Sequence, residues 1–175
     1  IPPYESGVKA GAATLMSSLN DISGTPGSAN HYTMTEILKN RWKHDGFVVS
    51  DWYAVPQLID QGHAADRKEA ARLAFNAVLE MYMMGHCYDK HMAKLVEEGK
   101  ISMQLVDDAV KRVLRIKFRL GLFDNPYTPT STEKERFLLP QSLAIAEKLA
   151  EETIVLLKNE NKVLPLANGN KPTIA

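Results

Sequence analysis

The chain has 175 residues, with 21 basic and 21 acidic side chains, no formal net charge and 45% apolar residues. That is enough for one core, or for part of a larger one. Balanced charge argues against nucleic acid as the main partner, because phosphate binding needs a basic surface, and no apolar run approaches the roughly 20 residues that cross a bilayer, so no membrane span is expected.

The first residues, Ile1-Pro2-Pro3-Tyr4-Glu5, carry neither a basic n-region nor an apolar h-region, so no signal peptide is visible. Tyr4 to Ala10 reads as the end of a helix stopped by Gly11. Ala12 to Leu19 is a short run of small and apolar residues, consistent with a strand. Asn20 to Asn30 is rich in Gly, Ser, Asn and Asp and reads as a loop. Thr35 can cap a helix reaching about Lys43, with Ile37, Leu38 and Trp42 on one face. Gly46 to Ser50 is the next strand. A loop from Asp51 to Ala65 follows, and Asp66 can cap a helix from Arg67 to about Ala77. Val78 to Met84 is a third strand. Asp89 to Glu98 is helical and stopped by Gly99. Ser102 caps a long amphipathic helix to Leu120, with Leu105, Ala109, Val113, Ile116 and Leu120 inward, and Gly121 ends it. Beyond the Pro/Thr-rich stretch from Asn125, Leu139 to Leu157 predicts another helix. Asn159-Glu160-Asn161 predicts a turn, and Thr173 to Ala175 the opening of a strand.

Strand and helix alternate through the first 120 residues, which implies parallel strands joined by helical crossovers. Only about three such units fit, whereas a closed (β/α)8 barrel takes about 250 residues. The α/β chain therefore reads as the C-terminal part of a TIM-like barrel (residues 1–124), a linker (125–138) and the entrance to a second domain (139–175). Both ends read as cut, so a piece of a longer protein is expected.

The chemistry concentrates at Gly46-Phe47-Val48-Val49-Ser50-Asp51-Trp52. Three apolar residues form a buried-strand pattern that ends in a carboxylate beside an indole. In parallel α/β folds, sites form at that end of the strands. A carboxylate there can attack or stabilise a cationic anomeric carbon, and an indole can stack on the apolar face of a sugar. The plainer reading of Asp51 is a cap for the following turn, and that of Trp52 a core tryptophan. A retaining glycosidase needs a second acid about 5 to 5.5 Å from its nucleophile, and no other carboxylate lies near Asp51 in sequence. Of the five histidines, His86 and His91 flank the single cysteine, Cys87. That spacing fits no standard zinc pattern, and Lys90 adds a repelling charge, so no metal or other cofactor is expected. No G-x-S-x-G elbow or phosphate loop is present. Lys111, Arg112, Arg115, Lys117 and Arg119 read as the solvated face of the long helix.

The strand motif resembles the nucleophile motif of family 3 glycoside hydrolases, the β-glucosidase family. Lys9-Ala10-Gly11-Ala12, Leu15-Met16-Ser17, Asn20 and Gly24-Thr25-Pro26 resemble the preceding strand and loop. Ile37-Leu38-Lys39-Asn40-Arg41-Trp42 resembles the helix before the nucleophile strand, and Leu114 to Tyr127 the barrel's closing helix and exit. Glu152 to Glu160, with Leu164-Pro165-Leu166, resembles the entry to the family's second domain, which implies that residues 139–175 are the start of an α/β-sandwich domain. The resemblance implies that Asp51 is the nucleophile, that Trp52 borders the subsite of the non-reducing-end sugar, and that Met16 and Leu19 line its wall.

Two departures stand out. Leu19 lies where the family often carries a tyrosine. Ala77-Val78-Leu79-Glu80-Met81 replaces the usual Ala-Gly-hydrophobic-Asp-Met, which puts a valine in place of a glycine and assigns Glu80 a structural contact. The family's main substrate-gripping residues come from the first half of the barrel, and its acid/base glutamate from beyond this chain.

The expected activity is that of a retaining exo-β-glycosidase acting on terminal non-reducing β-D-glucosyl residues of a β-linked oligosaccharide or glycoside. These 175 residues alone are expected to be inactive. A β-xylosidase or another family 3 glycosidase is the alternative within the family, and a non-catalytic carbohydrate-binding remnant the alternative outside catalysis. For the parent enzyme a periplasmic or secreted location is favoured over a cytoplasmic one.

Overall fold

The computed structural model describes residues 1–130 and 133–166 and divides the chain into two units, Ile1–Pro126 and Tyr127–Ala175. The first unit opens with α1 (Pro2–Lys9), which ends at Ala10 before the left-handed Gly11. Strand β1 is Thr14–Met16, shorter than its apolar run predicts. The segment read as a loop contains a small antiparallel hairpin, β2 (Asp21–Ile22) and β3 (Thr25–Pro26), followed by a single 3₁₀ turn, Gly27–Ala29.

The next helix, Tyr32–Arg41, is wound as a π-helix. It begins before Thr35, with His31 at its N-cap, and just ahead of it Asn30 Oδ1 accepts from the Thr33 amide at 2.9 Å. Thr35 instead donates its hydroxyl to the Ala77 carbonyl at 3.3 Å.

Strand β4 (Phe47–Trp52) lies between β1 and β5 (Met81–Met83) in one three-stranded sheet, parallel to both. Its alternation places Val48 and Ser50 in the interior, as a pleated strand requires. Gly46 admits the neighbouring chain: a Cβ at this position would lie 1.8 Å from the Ala13 carbonyl oxygen.

Helix α2 (Ala54–Asp60) occupies part of the segment predicted as a loop. Pro56 sits in its first turn, where a missing N–H costs no intrahelical bond. Helix α3 (Arg67–Asn76) is capped as expected by Asp66, whose Oδ1 accepts from the Glu69 amide at 2.8 Å. Its inner face of Ala70, Ala71 and Ala74 is fully buried, and the small side chains let α2 and α4 (Tyr88–Glu97) approach it closely. Helix α5 (Met103–Arg119) is capped by Ser102, which accepts from the Leu105 amide at 3.2 Å. It buries Ala109 and Ile116, but Leu120 is 66% exposed, beyond the helix's last turn.

The basic stripe of α5 is not simply solvated. Arg112 reaches Glu80 at 3.0 Å, Arg115 donates to the Asp45 carbonyl at 2.6 Å, and Arg119 pairs with the Asp45 carboxylate at 2.5 Å. The Arg119 guanidinium holds the Asp45 carboxyl below the usual carboxylate range. These arginines fasten α5 to the start of the β4 strand.

In the second unit, α6 (Glu133–Arg136) precedes α7 (Pro140–Thr153). The latter stops short of Leu157 because Ile154 is already extended. The predicted turn is present: Asn159 accepts from the Leu164 amide at 3.0 Å and donates to its carbonyl at 2.7 Å. The strand expected at Thr173 to Ala175, and Ser131 and Thr132 of the expected linker, lie outside the described residues.

Candidate active site

Because β1, β4 and β5 run parallel, their C-terminal ends meet at one rim. Met16, Asp51-Trp52 and Met83 stand there on adjacent strands. Asp51 lies within β4 and does not cap α2, whose flanking residue is Tyr53. The carboxylate is half-buried, its Oδ1 accepts from the Trp52 amide at 2.6 Å, and no ion pair engages it among the described residues. One oxygen is thereby oriented by the backbone.

Trp52 is 62% exposed, and no aromatic ring packs on it among the described residues. Its indole is thus largely exposed, and Trp52 is not a core tryptophan in this chain. Met16 is half exposed. Leu19 is 38% exposed, and its carbonyl accepts from Gln61 Nε2 at 2.9 Å, which ties the loop after β1 to the end of α2. The four residues expected at the site thus lie on neighbouring strand ends and their loops. A cavity of about 310 Å³ touches this region through Met16, Ser17 and Ser18, but neither Asp51 nor Trp52 lines it.

Sequence reasoning passed over the residues that hold this rim. Ser50 is fully buried, donates to the Asp51 carbonyl at 2.8 Å and accepts from the Met83 amide at 2.7 Å. The Tyr53 amide donates to the Met83 carbonyl at 3.0 Å. At the opposite end of β4, the buried Glu80 carboxylate accepts from the Val48 amide at 2.6 Å and from Lys39 and Arg112 at 3.1 and 3.0 Å. Burial pulls the Lys39 ammonium below its ordinary range, and the Glu80 charge pushes back. The signal available for Ser50 was a polar residue at an inward position of an apolar strand, while Glu80 makes the structural contact expected of it.

Val78 takes the left-handed backbone, φ 70°, that explains a glycine in the related motif. Within the His86-Cys87-His91 group, Cys87 is buried and the His86 side chain is exposed. Cys87 is fully buried and its thiol is pushed up to about 11 by burial. His86 Nδ1 pairs with Asp89 at 2.8 Å, and Tyr82 donates to the other Asp89 oxygen. Burial, and then the bond to Asp89, push the Tyr82 hydroxyl up to about 12.

Residues 1–116 match the glycosyl hydrolase family 3 N-terminal domain. The chain belongs to glycosyl hydrolase family 3. Among its family 3 relatives, a periplasmic β-glucosidase of Salmonella typhimurium is 36% identical over 95% of this chain and 22% of its own length. A putative β-xylosidase of Formosa agariphila is 37% identical over 98% of the chain and 23% of its own. The fold matches the crystal structure of β-glucosidase from Listeria innocua in complex with glucose, with TM-score 0.83 and 37% identity over 95% of this chain and 23% of that one. The chain thus spans a little under a quarter of the length of these relatives.

Proposed function

We propose that this chain is the nucleophile-bearing segment of a retaining exo-β-glycosidase that releases terminal non-reducing β-D-glucosyl residues. In this reading residues 1–124 are the C-terminal part of a TIM-like barrel, 125–138 a linker, and 139–175 the start of an α/β-sandwich domain. The observation that carries it is the placement of Asp51: a carboxylate with no ion pair among the described residues, at the C-terminal end of the central parallel strand and next to an exposed indole. Family membership and the β-glucosidase names of the relatives point the same way.

The chemistry follows from that geometry. An Asp51 oxygen attacks the anomeric carbon from the face opposite the leaving group. The glycosidic C–O bond breaks, and the leaving oxygen takes a proton from a carboxylic acid outside this chain. Water then attacks the same carbon, giving its proton to that acid's conjugate base, and frees Asp51. Two inversions leave net retention. Trp52 stacks on the sugar, with Met16 and Leu19 on the wall beside it.

A β-xylosidase is the second reading, favoured by the Formosa agariphila relative. The Salmonella typhimurium relative supports a periplasmic, or otherwise non-cytoplasmic, parent enzyme. In the complete enzyme, Asp51→Gly should lower turnover of aryl β-glucosides by orders of magnitude while folding survives. Added azide should restore turnover and yield the α-glycosyl azide, because the small anion occupies the space of the lost carboxylate. Unchanged turnover in Asp51→Gly would reduce Asp51 to a structural residue. The isolated 175 residues should not hydrolyse the same substrates.

A further inference from the structure

Trp52 has no ring packed on it among the described residues, so the orientation of its indole depends on the backbone that carries it. That backbone turns sharply. Tyr53, the next residue, is left-handed at φ 56°, and on β5 the three residues after Met83 are all left-handed: Met84 at 59°, Gly85 at 104° and His86 at 51°. Each non-glycine residue in that region costs about 1–2 kcal/mol, so surrounding contacts must hold both turns in place.

One side chain touches both. Arg67 donates through Nη1 to the Gly85 carbonyl at 2.5 Å and through Nη2 to the Tyr53 hydroxyl at 3.0 Å. Its base is fixed, because Arg67 is the first residue of α3, immediately after the Asp66 cap. Gly85 closes the arrangement from the other side: a Cβ there would lie 2.3 Å from Pro56 Cγ, so the β5 turn sits directly on the first turn of α2. A planar guanidinium with donors in a fixed fork is suited to hold two acceptors at a set separation, and a lysine ammonium is not.

We infer that Arg67 is a positioning residue that clamps the turns after β4 and β5 and so sets the Trp52 platform against the Asp51 carboxylate. It need not touch the sugar. Its catalytic consequence rests on the glycosidase reading above, while its effect on Trp52 does not. A misplacement of about 1 Å at a reacting centre can cost about 100-fold in rate, so a loosened platform should register strongly in turnover.

The test has two arms. In the first, the 175-residue chain is labelled with fluorotryptophan and followed by fluorine NMR. Its two tryptophans, Trp42 and Trp52, give two resonances, assigned by Trp→Phe variants. Arg67→Met and Tyr53→Phe should each shift or broaden the Trp52 resonance, and the double variant should add little to Arg67→Met. The Trp42 resonance should stay in place. In the second arm, Arg67→Met in the complete enzyme should lower kcat/KM about 10- to 100-fold with the folded fraction unchanged, Tyr53→Phe should fall between it and the wild type, and Arg67→Lys should recover only part of the loss.

An unmoved Trp52 resonance in Arg67→Met overturns the clamp. Movement of both resonances overturns it too, by making Arg67 a general stability residue. A shifted Trp52 resonance with unchanged kcat/KM refutes the catalytic consequence. Retained turnover in Asp51→Gly, with the Trp52 resonance still responding to Arg67, shows that the glycosidase reading has failed and the clamp has not.

Discussion

Replacing Glu80 with Gln changes one oxygen for an NH₂ group and tests what holds the nucleophile strand. The Glu80 side chain is 2% exposed and serves three donors: the Val48 amide, Lys39 Nζ and Arg112 Nη1. A carboxylate has acceptors on both oxygens. A carboxamide has only one oxygen, so its NH₂ must face either the strand amide or the two cations. Lys39, whose side chain is 8% exposed, would also lose its main neutralising partner. Removing one member of a buried ion pair typically costs about 3–5 kcal/mol, against a total domain stability of about 5–15 kcal/mol. With a urea slope of about 2 kcal/mol/M, the unfolding midpoint should fall by about 2 M. Urea titration of the 175-residue chain, followed by far-UV circular dichroism, measures this directly. Adding Lys39→Met to Glu80→Gln should cost less than the sum of the single changes, since it removes the orphaned ammonium. A Glu80→Gln midpoint within about 0.5 M of the wild type, roughly 1 kcal/mol at that slope, would refute the reasoning.

Gly46→Ala should destabilise the chain by about 3 kcal/mol, the upper end for an overpacked site, because the atom its new Cβ meets is the Ala13 backbone oxygen and no rotamer can relieve it; the same urea titration reads the loss. His44 gives a pH dependence. It is 7% exposed, donates through Nε2 to the Ala12 carbonyl at 3.1 Å, and has Nδ1 buried with no partner among the described residues. Burial, then the nearby Lys39 charge, lower its proton affinity, while Asp45 opposes them weakly. The unfolded chain therefore binds this proton more readily, so the stability His44 contributes is complete above about pH 6.5 and declines as pH falls below that. Thermal melts from pH 8 to pH 5 should show a decline that is shallower in His44→Gln, and parallel curves for the two proteins would contradict this assignment.

Much of the framework is legible in the sequence because it is local. Asp66 and Ser102 announce helix starts through side chains that reach only three residues along the chain. The Phe47-Val48-Val49 run marks the central strand and leaves Asp51 at its end. What stayed hidden is mostly long-range. The helix before β4 was legible from Ile37, Leu38 and Trp42, but its earlier start and π-helical winding over Tyr32–Arg41 were not, and α2 was obscured by Pro56, which reads as a breaker until its place in the first turn is known. Arg112, Arg115 and Arg119 look solvated on a helical wheel, yet their partners lie 32 to 74 residues away. At the candidate site, the position of Asp51 near the end of the central strand was legible. Ser50 and Arg67 were not, because their partners come from the neighbouring strand and its turn.

The most direct measurement of the central claim is covalent labelling of the complete enzyme with a fluorosugar that accumulates as the glycosyl-enzyme, followed by proteolysis and mass spectrometry. One added sugar is expected, on the peptide containing Gly46 to Trp52 and esterified at Asp51. A sugar attached to a different carboxylate, with Asp51 unmodified, would contradict it.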